Sequence, residues 1–231
     1  MASFTIPRRF CGPPDSGNGG YTCGLVAREP GGVVECTLRA PIPLDTPLEF
    51  ERKPSGAVLR SGETVLVEAN PTTITVDAPA PVSVTVATDA MASSPATDPR
   101  HPFPTCFVCG PKRAVHDGLR IFPAPWNGSL HLAAWMPHSE FGDENKNVRT
   151  EFLWAAMDCP TGFAAGFPTA GTLVTGRLAV QQLNAIDVGK GCVLLSWPLG
   201  VESRKHFSAA GLYQDHQLCA VARATWIRIE N

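Results

Sequence analysis

The succession of helical and strand-like segments predicts an α+β protein in which two central helices are wrapped by an extended, curved antiparallel sheet. Three observations carry this. The run over 152–165 is apolar on nearly every side, as a buried helix is, and four long strand candidates follow it. Earlier in the chain, one helix and several strands repeat part of that order. Between the two series lies a stretch rich in Ala, Pro, Ser and Thr, so the 231 residues divide into two units of small-domain size. The expected division is a truncated unit over 1–88, a linker over 89–104 and a complete unit over 105–231.

In the first unit, SGNGGYTCG (16–24) leads into a helix expected over 19–28. Asn18 is a good N-cap. The pair Gly19-Gly20 is unexpected there, since each glycine costs about 1 kcal/mol against Ala in a helix. Two readings stand: a capped loop, or bare backbone N–H groups at a helix start, as an anion or oxyanion site needs. Strands follow near 33–40, 47–53, 57–60 and 64–69. The segment 82–87 has the composition of an edge strand, and 90–104 reads as a linker. The first unit lacks the two strands that precede the helix of the second.

The second unit opens with strands at 119–122 and 130–135 about a turn at Asn127-Gly128, then a polar loop over 139–147. Pro160 is expected to end or kink the helix that follows, because it lacks a backbone N–H. Strands are expected at 172–183, 191–200, 205–214 and 217–229, the last two joined at Asp215-His216. The repeat is visible where APIPLDTPLEF (40–50) is laid on NAIDVGKGCVL (184–194): a strand end, a tight turn and a new strand.

The apolar fraction is 44%, the charged fraction 17% and the formal net charge −2, values of a globular chain with a sizeable core and no basic surface for nucleic acid. No run of 18 apolar residues suggests a membrane span, and the N-terminus has no signal-peptide pattern. Eight scattered cysteines suit small buried side chains in a reducing cytoplasm better than a disulfide framework. Cys106 and Cys109 form a lone CxxC; a metal would need two further ligands, for which His101 and His116 are the candidates, and packing is the expected role. No metal and no resident cofactor is expected.

CFVCGPKRAVHDGLRIFP (106–123) resembles the opening of hotdog-fold acyl-CoA thioesterases of the phenylacetate-pathway type. The resemblance extends over roughly 105–229 and implies a double hotdog for the fused chain. Family members open the central helix with Val-His-Gly-Gly and carry an acidic residue nine positions after the His. Here Val148-Arg149-Thr150-Glu151 occupies that place, and nine residues after Arg149 is Asp158. The second unit keeps the acid without the glycines. Laid on the same motif, Asn18-Gly19-Gly20 keeps the glycines, and Ala27 stands where the acid would be. The losses are complementary, so one site assembled from Asn18, Gly19, Gly20 and Asp158 is expected.

The resemblance implies hydrolysis of an acyl-CoA or acyl-carrier-protein thioester. Asp158 would act as general base on water or as nucleophile, its apolar neighbours raising its pKa, and the Gly19 and Gly20 amides would hold the oxyanion. Thr175 and Gln182, on the strand after the helix, are candidates to orient water. Arg149, Arg204 and Lys205 are candidates for coenzyme A phosphates, the coenzyme entering only as part of the substrate, and Thr150 is a further substrate-binding candidate. Two other readings stay open: a non-catalytic acyl-thioester-binding or scaffold protein, and an enoyl thioester hydratase. The hydratase reading needs a His near the Asp, and none occurs between His138 and His206. The expected partner is a small acyl thioester, and a homodimer of such fused chains is compatible with the reading.

Overall fold

The computed structural model describes residues 2–229. Its strands form one antiparallel sheet with open edges. Numbered along the chain, they lie in the order β1 (Ala2–Thr5), β3 (Pro47–Lys53), β4 (Gly56–Ser61), β5 (Thr64–Pro71), β2 (Val34–Leu38), β8 (Leu173–Gln182), β11 (Gln217–Arg228), β10 (Lys205–Gln214), β9 (Cys192–Glu202), β7 (Leu130–Trp135) and β6 (Ala124–Trp126). Helix α1 (Gly19–Ala27) belongs to the first half and α3 (Thr150–Ala164) to the second. Each helix is followed by four strands that lie in the same spatial order, β2-β5-β4-β3 and β8-β11-β10-β9. The halves join back to back where β2 pairs with β8, Cys36 opposite Leu178. The loops over 40–46 and 184–191 lead into β3 and β9, equivalent positions in the two series.

The alternation of side chains along the strands explains how both faces are covered. Ala133 and Leu194 belong to the main core around α3, whereas Leu132, Ala134, Val193 and Leu195 form a second cluster with Ala87 of α2 (Val84–Ala90). α2 therefore covers the outer face of β7 and β9, and α3 the inner one. The segment 82–87, expected as an edge strand, is thus mostly helix. Its β-branched residues suggested a strand, but Ser83 accepts a hydrogen bond from Val86 N at 3.3 Å and starts a helix.

Other expectations change in the same way. The linker over 89–104 connects the halves but packs as short 3-10 turns with Ala96 and His101 buried, and Ser94 Oγ donates to the Pro123 carbonyl at 2.6 Å. The strand expected at 119–122 is displaced to β6, because Leu119 and Ile121 donate to the carbonyls of Phe107 and Val108 instead. One strand, β1, precedes α1, pairing with β3. Pro160 does not end α3, which continues four residues further. Packing against α1 and the inner strands holds this stretch helical despite the lost donor.

The helices α1 and α3 run antiparallel in close contact. A Cβ on Gly20 would lie 2.5 Å from Asp158 Cβ, and one on Gly24 would lie 2.6 Å from Glu151 Cα. The four-residue spacing puts both glycines on the face of α1 that meets α3, where only a bare backbone fits. This close approach carries the N-terminus of α1 to the middle of α3.

Asp215 and His216 form the β10–β11 turn, both with positive φ (51° and 62°), as the commonest two-residue hairpin loop requires. A left-handed residue other than glycine costs about 1–2 kcal/mol. His216 is exposed, so His216→Gly is expected to raise stability by about 1 kcal/mol. The denaturant midpoint checks this; an unchanged or lower midpoint at equal slope contradicts it.

Candidate functional site

The start of α1 is built to present donors. Asn18 caps the helix, its Oδ1 accepting from Tyr21 N at 2.9 Å, and its backbone carbonyl accepts from Thr22 N at 3.0 Å. Gly20 N donates to Asp158 Oδ2 at 3.0 Å. That leaves the Gly19 N–H, which donates to nothing among the described residues and borders a cavity of about 620 Å³.

Asp158 lies in the middle of α3 with 1% of its surface exposed. Its Oδ2 accepts from Gly20 N and from Asn18 Nδ2 (3.3 Å), and its Oδ1 from Thr175 Oγ1 on β8 (2.8 Å). Burial pushes its carboxyl up to about 7, against the opposing pull of the bonds from Thr175, Gly20 and Asn18. Both protonation states are therefore accessible near neutrality. A carboxylate has about four acceptor positions, so with three donors bound it keeps room for one more proton-bearing partner. Asn18, Gly19, Asp158 and Thr175 all border the same cavity.

The walls of that cavity are largely apolar, including Phe103, Phe163, Phe167 and Trp226. Trp226 Nε1 donates to Thr161 Oγ1 at 2.9 Å, and Gly162 leaves room for its ring, since a Cβ there would lie 2.8 Å from Trp226 Cζ2. Arg39 and Arg204 are the cationic residues on its lining, both exposed. Volume and lining are those of a small-molecule pocket with few convergent polar groups.

The other residues singled out in the sequence lie elsewhere. Arg149, Thr150 and Gln182 border a separate polar depression at the start of α3, beside Arg28 and Glu151. The Arg149 guanidinium stacks on Phe152 with its centre 4.7 Å from the ring centroid, and lies 3.5 Å from Glu151 Oε1. Gln182 Nε2 donates to the Asn184 carbonyl. This depression occupies, by the repeat, the place in the other half that the cavity occupies here: Arg149 precedes α3 as Asn18 precedes α1. None of the three lies on the lining of the cavity that Thr175 borders. Lys205 is likewise not on the cavity lining.

The CxxC is not alone. Cys159, next to Asp158 on α3, brings its Sγ to 3.7 Å from Cys106 Sγ, and the sulfurs of Cys106, Cys109 and Cys159 all lie within 4.8 Å of one another. Helical phase placed Cys159 there, a relation that spacing along the chain conceals. His101 Nε2 is 3.5 Å from Cys109 Sγ, whereas His116 is exposed and its ring lies tilted at 53° against that of His138, 4.9 Å between centroids. His206, with no evident partner in the sequence, bonds the Ala165 carbonyl through Nδ1 at 2.8 Å. All eight cysteines are free and buried, and no described helix is long and apolar enough to cross a membrane.

No protein-family model matches the chain, and no curated protein matches it in sequence. Solved structures do resemble it over about half its length. The PaaI protein of the phenylacetic acid degradation operon of E. coli aligns at 12% identity over 52% of this chain and 88% of its own, with a TM-score of 0.46. A thioesterase superfamily protein from Shewanella loihica aligns at 22% identity over 49% and 92%, with a TM-score of 0.40. A variant of the phenylacetic acid degradation protein PaaI from Thermus thermophilus aligns at 16% identity over 48% and 95%, with a TM-score of 0.43.

Proposed function

We propose that this chain is a fused double hotdog that hydrolyses an acyl thioester, an acyl-CoA or acyl-carrier-protein adduct, at one composite site. The observation that carries the reading is that the Asp158 carboxylate of one half and the unpartnered Gly19 N–H of the other border one apolar cavity. The acyl chain lies among the aromatic walls. The Gly19 N–H, at the positive end of α1, polarises the thioester carbonyl and stabilises the oxyanion. Asp158 takes a proton from the attacking water, and Thr175, Asn18 and the Gly20 amide hold the carboxylate in place. Gly20 thus orients the base, and the oxyanion role falls to Gly19. Arg204 on the lining suits the phosphates of a coenzyme A tail. The free thiols fit a reducing compartment such as the cytoplasm. Hydration of an enoyl thioester is disfavoured, because no histidine is found among the described cavity-lining residues.

The test is thiol release from a panel of acyl-CoA chain lengths, with two variants at one position. Gly19→Pro removes the N–H at the first helical position, where proline is well tolerated and Asn18 already has the extended conformation it needs. Gly19→Ala adds a comparable Cβ, about 3.0 Å from Thr175, but keeps the N–H. Proline is expected to lower kcat about 10²–10³-fold below alanine, the range for loss of one oxyanion donor. Equal rates in the two variants contradict the role of Gly19, and a wild type that releases no thiol from any substrate overturns the hydrolase reading.

A further inference from the structure

The geometry points to a tris-thiolate site for a soft divalent cation, zinc in the first instance, formed by Cys106, Cys109 and Cys159 with its fourth position open to the cavity. Three sulfurs on two segments, 53 residues apart in the case of Cys106 and Cys159, converge within 4.8 Å. A tetrahedral ion with metal–sulfur bonds of about 2.3 Å sets its sulfurs about 3.8 Å apart. The Cys106–Cys159 separation of 3.7 Å already matches that edge.

The turn that carries two of the cysteines and the side chains around it are also ordered by hydrogen bonds. The turn over 106–110 folds back on itself, Gly110 N donating to the Cys106 carbonyl at 2.9 Å. Gly110 is required by this turn, because a Cβ there would lie 2.5 Å from Cys106 N. Asn18 Nδ2 approaches the Cys106 sulfur at 3.9 Å. His101 Nδ1 accepts from Phe103 N at 3.0 Å, so the ring proton of the neutral form sits on Nε2 and is directed at Cys109 Sγ. His101 is thus a hydrogen-bond donor to the site, an orienting partner outside the ligand set. Two of the three sulfurs thus meet a side-chain donor, Asn18 at Cys106 and His101 at Cys109.

Binding releases one proton from each thiol that enters as thiolate, with no change in oxidation state. The three cysteines border the cavity, so the open position faces it and takes water or another small ligand. This site stands independently of the hydrolase reading.

The experiment titrates cobalt(II) into the reduced, metal-stripped full chain and follows thiolate-to-cobalt charge-transfer absorption and tetrahedral d–d bands, with zinc as competitor. The expected result is about one equivalent bound with both signatures, displaced by zinc, and affinity lowered at least ~10²-fold in Cys106→Ser and in Cys159→Ser. Cys192→Ser, at a buried cysteine outside the cluster, keeps the signal. Circular dichroism identifies any variant that unfolds, and the wild-type titration decides by itself in that event. Absence of the charge-transfer band in the reduced wild type overturns the proposal. So does its survival in both folded cluster variants, or its equal loss in Cys192→Ser.

Discussion

Asp158→Asn is expected to lower kcat/KM for thioester hydrolysis by about 10²–10⁴-fold while the protein stays folded. The two side chains have nearly the same shape, so the close contact with α1 is undisturbed. The donors that meet Asp158 are arranged so that an amide can replace the carboxylate. The Asn Oδ1, placed where Oδ2 lies, accepts from the Gly20 N–H and Asn18 Nδ2. Its Nδ2 then faces Thr175 Oγ1, a hydroxyl that rotates from donor to acceptor. No buried polar group is orphaned, and the large destabilisation that follows an unpaired partner is avoided. What is removed is the capacity to take a proton from water. Thiol release measures the first effect and thermal melting the second. Undiminished turnover in the folded variant would show that Asp158 is not the base.

The parts of the fold that were legible in the sequence are those written in local pattern. Hairpin turns such as Asp215-His216, flanked by β-branched and apolar residues, locate β10 and β11 within a residue or two. The apolar run at 152–165 locates α3 for the same reason. Where a segment owes its state to a distant surface, local pattern misleads: Val84, Thr85 and Val86 favour a strand, yet they form a helix that covers β7 and β9. The pairing of Asn18 and Gly20 with Asp158 was legible only through the comparison of the two halves, since 140 and 138 residues separate them. Arg149, Thr150 and Gln182, named as substrate-binding candidates on other grounds, lie at a separate depression. That depression sits at the start of α3, beside Arg28. Cys159 escaped notice because the register that joins it to Cys106 and Cys109 comes from the rotation of α3 against the 106–110 turn.

Gly20→Ala is expected to destabilise the protein by about 3 kcal/mol. Helix propensity argues the other way, since Ala is favoured over Gly by about 1 kcal/mol in a helix interior. Packing decides. The new Cβ would lie 2.5 Å from Asp158 Cβ, 2.6 Å from the Trp154 carbonyl oxygen and 3.0 Å from Ala155 Cα. Two of these three are backbone atoms of a buried helix, with no rotamer to yield, so α1 and α3 must separate along their contact. Separation also lengthens the Gly20 N to Asp158 Oδ2 bond and leaves a buried carboxylate short of a donor. Denaturant unfolding measures the loss, and a ΔG within about 0.5 kcal/mol of wild type, the scatter of neutral surface changes, would refute the close packing of the helices. Stability separates this variant from its neighbours at the site. Asp158→Asn and Gly19→Pro are expected to strike the proposed hydrolysis in a folded protein, whereas Gly20→Ala is expected to strike the helix contact first. The two adjacent glycines thus meet different neighbours: a Cβ on Gly19 would press on the Thr175 side chain at 3.0 Å, whereas one on Gly20 would drive the two helices apart.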